Sequence, residues 1–422
     1  MSLELGARDR ELLDGRHGDG AAFAMRLVLR AAEVTGASRL IDVTRAHVDS
    51  CLDHGEASLD FVQRLVDGGA AVRVPTTLNV GAVDLLHPEL YRGDPGMAER
   101  GRRLMDRYRS LGARPTFTCA PYQLADARPS FGEQVAWGES NAIAFCNSVL
   151  GARTNRYGDF IDIAAAITGR VPDAGLHRTD ARRATLVLRL APDVPVRLRD
   201  ADLLFPLLGI VLGRRAGSAV AAIDGLPPGQ SEDRLKALGA AAASSGSVAM
   251  FHVVGSTPEA PTLDEALQHG TPPSVELVHL DDLRAVRDEL TTAAGDGLAA
   301  VSLGTPHASL AELERYVTLL RGRRVHPEVE CLVSTGRDTL AQADTAARAL
   351  RASGIELLVD TCSYIAPILR EAGGSTMTDS GKWAYYAPGN VGARVVFGST
   401  EECIESAVAG RVVRDDRAWC GS

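Results

Sequence analysis

Apolar residues at helical spacing alternate with short runs of β-branched and leucine residues over the first 150 positions. Residues 21–37 have apolar side chains three and four positions apart, which predicts a helix, and 37–44 follows as a short strand. Residues 56–67 repeat the helical pattern, paired glycines end it, and 70–76 is predicted to be a buried strand. A helix-rich stretch at 87–111 then leads into a strand-like segment at 114–122. The pattern predicts an α/β fold from the beginning of the chain.

The second half of the chain alternates more regularly. The best linker candidate is the segment 224–246, where Pro, Gly, Ser and Ala replace large apolar residues. Beyond it, strand-like runs alternate with helical runs up to residue 362, a spacing that predicts a parallel sheet with crossover helices. We therefore predict an N-terminal α/β part at 1–235, a linker at 236–244 and a β/α domain at 245–400.

Composition narrows the class of protein. A chain of 422 residues with 45% apolar and 23% charged positions fits a globular protein of two or three domains. Its net charge of -9 argues against nucleic acid as a partner. The N-terminus lacks an apolar secretory core, and the longest apolar stretch, 201–212, is shorter than the roughly 20 residues that cross a bilayer. Seven scattered cysteines fit a reducing compartment, so we expect a cytoplasmic protein without a membrane partner.

Polar clusters stand at the ends of the predicted strands, where parallel sheets bind ligands. None of the common phosphate-loop, dinucleotide, zinc-protease or serine-hydrolase motifs is present. The clusters include AHVDSC at 46–51, PTTLNV at 75–80, GESNA at 138–142, GTPH at 304–307 and VDTC at 359–362. Cys119 and Cys362 both end strand-like runs, so we expect their sulfurs to lie within about 10 Å of each other.

Together these clusters resemble the aconitase X family. The matching segments are GAAVRVPTTLNV at 69–80, TCAPY at 118–122, GEQVAWGESNA at 132–142, NSVLGARTNR at 147–156 and DSGKWAYYAPG at 379–389. The resemblance implies an aconitase-like multi-domain α/β/α fold with parallel sheets, and elimination of water from a small hydroxy acid with the help of iron. It also implies a small swivelling domain, fused or separate. We expect a small aconitase X subunit as a separate partner chain, without which the enzyme is incomplete.

The cysteines are where the resemblance breaks. Family members with an iron–sulfur cluster draw ligands from TCxPY, GCPH and VDTC cysteines, and the first and third correspond to Cys119 and Cys362. Thr305 stands at the second position, and its hydroxyl is a poor ligand for a cluster that prefers sulfur. A 2Fe–2S cluster or a single iron is therefore favoured over a 4Fe–4S cluster. The alternative is that both thiols are simply buried.

Eliminating water needs a base, help for the departing hydroxide and donors that fix the carboxylate. We predict that Arg153 and Arg156 anchor the carboxylate, and that His47 and His307 relay protons or bind a ligand oxygen. The side chains predicted to donate hydrogen bonds to substrate oxygens are Thr77, Asn79, Ser140, Asn141 and Asn155. Capping, turn or other structural roles are the alternatives for all of them. The family also attributes part of the proton chemistry to a serine on the small domain.

Only Lys236 and Lys382 are lysines among 45 basic residues. A lysine kept in such an arginine-rich chain indicates a place where a planar guanidinium would not serve. Lys382 follows a glycine that lets the backbone approach a ligand, and we predict that it contacts the substrate carboxylate or the leaving oxygen. Lys236 is instead interpreted as part of a solvated helix face.

The resemblance leaves the substrate open. The bacterial branch that acts on cis-3-hydroxy-L-proline is the leading hypothesis, because an arginine-rich, lysine-poor composition is typical of a high-GC bacterium. The branch that acts on mevalonate 5-phosphate is an alternative, as is a specialised biosynthetic dehydratase suggested by Thr305. A non-catalytic paralogue that has lost its metal is the alternative from another class.

Overall fold

The structure, a computed structural model, describes residues 3–271 and 275–420. The strands in these ranges form sheets of two, three, four and five strands. Every pairing in the three larger sheets is parallel, and helices connect and cover their strands. The predicted α/β class with parallel sheets is confirmed.

The first region, residues 3–182, has its main core around a parallel sheet with the strand order β3-β2-β4, and a smaller apolar cluster that includes Tyr122, Trp137 and Phe145. A separate antiparallel pair joins β1 to β5. Its strands are β1 (Leu40–Asp42), β2 (Ala46–Val48), β3 (Thr76–Leu78), β4 (Ala136–Trp137) and β5 (Arg170–Pro172). Its helices are α1 (Ala7–Leu13), α2 (Asp19–Thr35), α3 (Glu56–Asp67), α4 (Pro95–Ser110), α5 (Ser140–Ser148) and α6 (Ile161–Thr168), with 3-10 turns at Pro88–Leu90, Pro121–Gln123, Gly175–His177 and Asp180–Arg182.

Two strands predicted in this region differ from the structure. The strand predicted at 70–76 begins only at Thr76, because the amide of Val72 donates to the carbonyl of Leu111 rather than to a neighbouring strand (2.8 Å). The segment 114–122 forms no named strand, because Pro115 has no N–H and Phe117 has a φ of 40°. Its backbone nevertheless runs beside β3, which brings the cysteine that follows to the edge of the first sheet.

The second region contains a parallel sheet with the order β8-β7-β6-β9. Its strands are β6 (Leu186–Leu190), β7 (Ala221–Asp224), β8 (Phe251–Val253) and β9 (Val275–Val278). Its helices are α7 (Val196–Asp200), α8 (Leu204–Ala216), α9 (Glu232–Ser245), α10 (Leu263–Ala266) and α11 (Leu280–Leu290). The apolar segment 201–212 falls mostly in α8, which is buried along nearly its whole length.

The linker predicted at 236–244 is wrong as a structural element, because these residues lie inside α9 and are mostly buried. Small side chains are present here for close packing and not for flexibility. A Cβ on Gly209 of α8 would lie 2.4 Å from the carbonyl oxygen of Leu238, so the two helices approach at glycine and alanine positions. Lys236 is also buried, with only 3% of its surface exposed, so the solvated interpretation of this residue is wrong too.

The third region contains a parallel sheet with the order β12-β11-β10-β13-β14. Its strands are β10 (Ala300–Ala308), β11 (Glu330–Thr335), β12 (Ile355–Leu358), β13 (Ser375–Thr378) and β14 (Arg394–Phe397). Its helices are α12 (Leu310–Leu320), α13 (Arg337–Gln342), α14 (Asp344–Ala352), α15 (Gly381–Asn390) and α16 (Thr400–Ala409), and a 3-10 turn at Asp416–Trp419 follows. Within the described ranges, no helix combines the length and the apolar character that crossing a bilayer requires.

Candidate functional site

The site is built where the carboxyl ends of two parallel sheets meet. Glu139 follows β4 of the first sheet, and Lys382 lies just after β13 of the third. The Lys382 ammonium donates to the Glu139 carboxylate, which joins the two sheet edges through a buried ion pair. The ends of parallel strands are where α/β proteins bind ligands, and here two such ends face each other.

Three buried side chains form a metal-ligand group between these edges. Cys119 comes from the segment beside β3, His307 from the end of β10 and Cys362 from the loop after β12. One ligand atom from each side chain lies within 4.8 Å of the others. The expected proximity of Cys119 and Cys362 is confirmed by this distance. His307, predicted as a proton relay, thus lies with the two cysteines.

Hydrogen bonds fix the ring of His307. Its Nε2 lies 3.3 Å from the carbonyl oxygen of Thr361, which can only accept, so Nε2 carries the proton. Its Nδ1 then accepts from the Thr118 hydroxyl at 3.0 Å, and the backbone N–H of His307 donates to the sulfur of Cys119 at 3.3 Å. Burial lowers the pKa of His307 to about 4, which keeps the ring neutral. A neutral ring protonated at Nε2 binds metal through Nδ1, whose single lone pair the metal would take over from the Thr118 hydroxyl.

The two thiols differ in acidity. Burial raises the pKa of the Cys119 thiol, but the hydrogen bond from Cys362 and the nearby Lys382 charge outweigh it and hold that pKa below its usual range. The same hydrogen bond, together with burial, raises the pKa of Cys362 well above its usual range. The buried pair therefore shares one thiolate. The second thiol would lose its proton when a metal cation binds, as expected for two cysteine ligands of one metal.

Thr305 occupies a wall of a cavity beside this group. The cavity has a volume of about 180 Å³ and lies at the carboxyl ends of β10, β13 and β14. Thr305 is 8% exposed, and its hydroxyl oxygen has no hydrogen-bond partner in the part of the chain that the structure describes. Such an atom normally has a partner, so this hydroxyl is free to take a ligand or a water molecule.

The Glu139–Lys382 ion pair also holds Cys119 in place. Glu139 is the N-cap of α5, where its backbone has a φ of 62° and its carboxylate accepts from the backbone N–H of Ala142 at 2.8 Å. The side-chain amide of Asn141 bonds the same carboxylate and the carbonyl oxygen of Cys119, the latter at 2.9 Å. Burial would lower the pKa of Lys382, but Glu139 holds it well above its usual range. Asn141 is therefore held against the cysteine's backbone.

The predicted residues of the first sheet lie at its carboxyl edge. His47 and Thr77 are buried on β2 and β3, and the His47 Nδ1 lies 2.8 Å from the Thr77 hydroxyl. Burial lowers the pKa of His47 to about 3, so it is neutral at physiological pH. The side-chain amide of Asn79 donates to the carboxylate of Asp49, a residue that the sequence analysis did not single out. Asp49 belongs to the quoted cluster AHVDSC, but only the fold reveals its neighbours.

The predicted substrate-binding residues of the segment 147–156 donate to backbone carbonyl oxygens of neighbouring segments. Arg153 donates to the carbonyl oxygen of His177 at 3.1 Å, and the amide of Asn155 donates to that of Ala174 at 2.9 Å. Arg156 donates to carbonyl oxygens at the C-terminal end of α9, the nearest being that of Ala243 at 3.2 Å. Ser140 is the first residue of α5, directly after the Glu139 cap. The predicted substrate contacts of these residues stay predictions.

Lys236 contacts the metal-ligand group through the backbone of His307. Its ammonium pairs with Glu312 at the N-terminus of α12 and with Asp233, the latter at 3.0 Å. It also lies 3.5 Å from the carbonyl oxygen of His307. Burial would lower the pKa of Lys236, but Glu312 and Asp233 raise it instead. Sequence spacing could not reveal this pairing, because Glu312 lies 76 positions away.

Comparison with known families accounts for nearly the whole chain. The aconitase X first domain matches residues 2–180, the aconitase X second domain matches 184–288 and the aconitase X third domain matches 298–409. The chain belongs to the aconitase X family. Two curated relatives at 43% identity are dehydratases, so this aconitase X chain is a hydro-lyase, as the sequence predicted.

The relatives differ in length. The cis-3-hydroxy-L-proline dehydratase of Pseudomonas aeruginosa is 43% identical over 420 residues, which are 98% of this chain and 72% of that one. The same enzyme of Hypocrea jecorina is 43% identical over 423 residues, 97% of this chain and 69% of that one. The phosphomevalonate dehydratase large subunit of Methanosarcina mazei is 33% identical over 97% of this chain and 98% of its own length.

A solved structure supports the same assignment. The crystal structure of Thermococcus kodakaraensis aconitase X in its holo-form superposes with a TM-score of 0.85 at 31% sequence identity. The match covers 96% of this chain and all of that one. The fold implied by the resemblance is thereby confirmed.

Proposed function

We propose that this aconitase X chain dehydrates cis-3-hydroxy-L-proline. The observation that carries the proposal is the 43% identity to two dehydratases of this substrate over nearly the whole chain, ten points above the Methanosarcina mazei phosphomevalonate enzyme (43 − 33). The site adds support, because it offers both acidic and basic groups to a small zwitterion. In the reaction the C2–H and C3–O bonds break, the C2–H electron pair forms the C2=C3 double bond, and the hydroxyl leaves as water.

We also propose that the chain holds iron or an iron–sulfur cluster at Cys119, His307 and Cys362. The donor set fits, since two thiols and a neutral imidazole lie within 4.8 Å of one another in a buried place. The hydroxyl of Thr305, which has no hydrogen-bond partner within residues 3–271 and 275–420, is a further oxygen at this edge, two residues before His307. Bound there, such a group supplies Lewis acidity toward the oxygen of the departing hydroxide. Two sulfurs favour a 2Fe–2S cluster or single iron over a 4Fe–4S cluster.

The chain's own residues bind and orient the substrate. Lys382 is a compact cation at the first turn of α15, and the substrate carboxylate or the leaving oxygen takes over the hydrogen bond that its ammonium donates to Glu139. Glu139 keeps its other oxygen on the backbone N–H of Ala142, so the ion pair can open without leaving that carboxylate unbonded. The burial of both side chains excludes water from this contact.

A second protein chain completes the proposed enzyme. This chain spans 98% of the Methanosarcina mazei large subunit but 72% of the Pseudomonas aeruginosa dehydratase. The Methanosarcina mazei relative is itself a dehydratase large subunit, and on that ground we propose a small aconitase X subunit as partner. The similarity to phosphomevalonate dehydratase large subunits is also the observation that favours the second candidate function, dehydration of mevalonate 5-phosphate.

The test is an elimination assay with anaerobically purified, iron-loaded protein, with and without a small aconitase X subunit. Loss of one water per substrate is measured by mass spectrometry for cis-3-hydroxy-L-proline and for mevalonate 5-phosphate. We expect kcat/KM at least about 100-fold higher for the hydroxyproline, a difference of about 2.7 kcal/mol in transition-state binding. Preference for mevalonate 5-phosphate would overturn the proposed substrate, and full turnover by this chain alone would overturn the proposed partner.

A further inference from the structure

Asp49 stands at the site without a role in the chemistry described so far. It follows β2 at the carboxyl edge of the first sheet and is half-buried, with a carboxylate that accepts from the side-chain amide of Asn79. The other atom of that amide, Asn79 Oδ1, is buried and has no hydrogen-bond partner among the residues described. Two acceptors, the Asp49 carboxylate and the neutral Asn79 Oδ1, thus lie side by side and can each accept a further hydrogen bond.

Rigid contacts hold Asp49 in this position. Its backbone N–H donates to Asp162 at 2.6 Å, and the same carboxylate accepts from the hydroxyl of Ser50 at 2.6 Å. On the other side, a Cβ on Gly138 would lie 2.9 Å from the Cβ of Asp49, so this glycine lets β4 pass closely. Glu139 comes next in the chain, which brings the Asp49 carboxylate to the same edge as the Glu139–Lys382 ion pair.

We propose that Asp49 and the side-chain oxygen of Asn79 together bind the secondary ammonium of the substrate, an inference that rests on the proposed hydroxyproline function. A ring ammonium of the proline type has two N–H donors. One donates to the Asp49 carboxylate and the other to Asn79 Oδ1, which satisfies both acceptors. Lys382 then takes the carboxylate, which is bonded to the same C2 atom as the ring nitrogen, so both groups are held at one side of the small molecule.

Charge makes this pair a determinant of substrate class. Burial raises the pKa of Asp49, and so do the nearby carboxylates of Glu139, Asp159 and Asp162, so negative charge is concentrated at this edge. A substrate with a phosphate and no ammonium would add negative charge to this edge and leave both acceptors unpaired. The edge therefore favours amino acids over phosphorylated hydroxy acids.

The ammonium site has a pH dependence of defined sign. Burial and the facing groups Glu139, Asp159 and Asp162 raise the pKa of Asp49 to about 7, and Asp159 is itself paired with His54. Only ionised Asp49 attracts an ammonium, so affinity is full above this pKa and falls as the pH decreases through it. From pH 8 to pH 6 the ionised fraction decreases about tenfold, and we expect the same decrease in the affinity for an amino acid.

The test compares two ligands that differ at one atom. Isothermal titration calorimetry on the complete iron-loaded enzyme measures Kd for L-proline and for tetrahydrofuran-2-carboxylate, in which an ether oxygen replaces the ammonium. We expect Asp49→Asn to weaken L-proline at least about tenfold, to abolish the decrease in affinity between pH 8 and 6, and to leave the ether analogue within about threefold. Asp159→Asn is the matched control, because it removes a nearby charge that is bonded to His54 instead.

The ether analogue also reports on folding, since a variant that misfolds loses both ligands. Equal weakening of both ligands in Asp49→Asn, or no weakening of either, would overturn the ammonium site. An Asp159→Asn effect as large as that of Asp49→Asn would do the same, because it would make the effect one of general charge. Turnover of cis-3-hydroxy-L-proline by the wild-type enzyme, measured in parallel, keeps the proposed function separate from this outcome.

Discussion

The two sheet edges that meet in the site carry different chemistry. The edge of the first sheet has carboxylates and an amide, in Asp49, Asn79 and Glu139, all of them oxygen ligands or hydrogen-bond acceptors. The edge of the third sheet has His307, Cys362 and, just beyond, the ammonium of Lys382. Hard acceptors on one side and soft or cationic groups on the other give a bound molecule a defined direction between them.

The difference teaches how one pocket can serve two tasks. An acceptor such as Asn79 Oδ1, which has no hydrogen-bond partner in the described part of the chain, suits a substrate that brings its own donors. Sulfur and imidazole suit a metal that stays in place, and the carbonyl oxygen of Thr361 orients the ring of His307 for this task. Cys119 belongs to both sides of the site, because its backbone lies beside the first sheet and its sulfur is part of the metal-ligand group. A substitution of Cys119 is therefore the most direct test of the difference between the two edges.

Replacing Cys119 with serine should have the largest effect. Substitution of a residue that only hydrogen-bonds a metal ligand lowers metal affinity about 10–100-fold. Loss of a thiolate that binds the metal directly should therefore lower it by more than about 100-fold. We expect anaerobically purified Cys119→Ser to lose most of its iron, measured by elemental analysis and by the visible absorption of the cluster, and to lose its activity with it.

Cys331→Ala is the matched control for that variant. Cys331 is equally buried, but it lies within β11, and burial raises its pKa to about 12, which marks a packing thiol. Its replacement should keep the iron and cost only about 1 kcal/mol of stability. Iron retained by Cys119→Ser, or lost equally from Cys331→Ala, would contradict the assignment of the metal group.

The next largest effect should come from Lys382. If its ammonium makes one charge-assisted hydrogen bond in the transition state, Lys382→Ala should cost about 2–4 kcal/mol, or about 30- to 1,000-fold in kcat/KM. Lys382→Arg keeps the charge with another shape and should fall between the alanine variant and wild type. Steady-state kinetics of the complete enzyme on cis-3-hydroxy-L-proline measures both.

Stability needs a separate control here, because Lys382→Ala leaves Glu139 buried without its partner. Loss of one member of a buried pair costs about 3–5 kcal/mol, and adding Glu139→Gln should restore much of that in urea unfolding. The double variant should therefore regain stability but not activity. Near-native activity of Lys382→Ala would mean that this lysine only supports the fold.

The sequence predicted the positions of these edges better than the contacts between them. Cys119 and Cys362 could be paired because both follow strand-like runs, and parallel strands end at a common edge. Asp49 and Lys236 could not be assigned, because their partners Asp162 and Glu312 lie 113 and 76 positions away. Pairings at that distance are set by the packing of whole elements, and local spacing carries no trace of them.

The predicted linker failed for a related reason. Glycine and alanine at 236–244 have the composition of a flexible segment, yet the same small side chains allow two helices to pack closely. Which of the two applies depends on whether a partner helix is present, and α8 supplies it. Composition alone could not decide between them, whereas the alternation of strands and helices after residue 248 needed no partner to be recognised.

The smallest effect should come from Arg156, outside both edges. Its guanidinium is exposed and bonds three carbonyl oxygens of the segment 243–248 at 3.2–3.4 Å, as expected for a cation near the C-terminal end of α9. Lys236, near the start of α9, is the residue of that helix that approaches His307. Seven residues, or about 10 Å of helix, separate Lys236 from Ala243 (243 − 236), so Arg156 bonds the opposite end of α9 from the one that approaches His307.

We therefore expect Arg156→Ala to lower stability by about 0.5–1 kcal/mol in urea unfolding and to change kcat/KM by less than about twofold. An arginine that anchors the substrate carboxylate would behave in the opposite way. Its loss would raise KM for cis-3-hydroxy-L-proline by about tenfold or more and would leave unfolding nearly unchanged. Arg156→Lys separates the two further, because a lysine keeps the charge near the helix end but loses the planar guanidinium that binds a carboxylate through two parallel bonds. Rescue of stability without any change in KM would place Arg156 in the scaffold and restrict substrate binding to the two sheet edges.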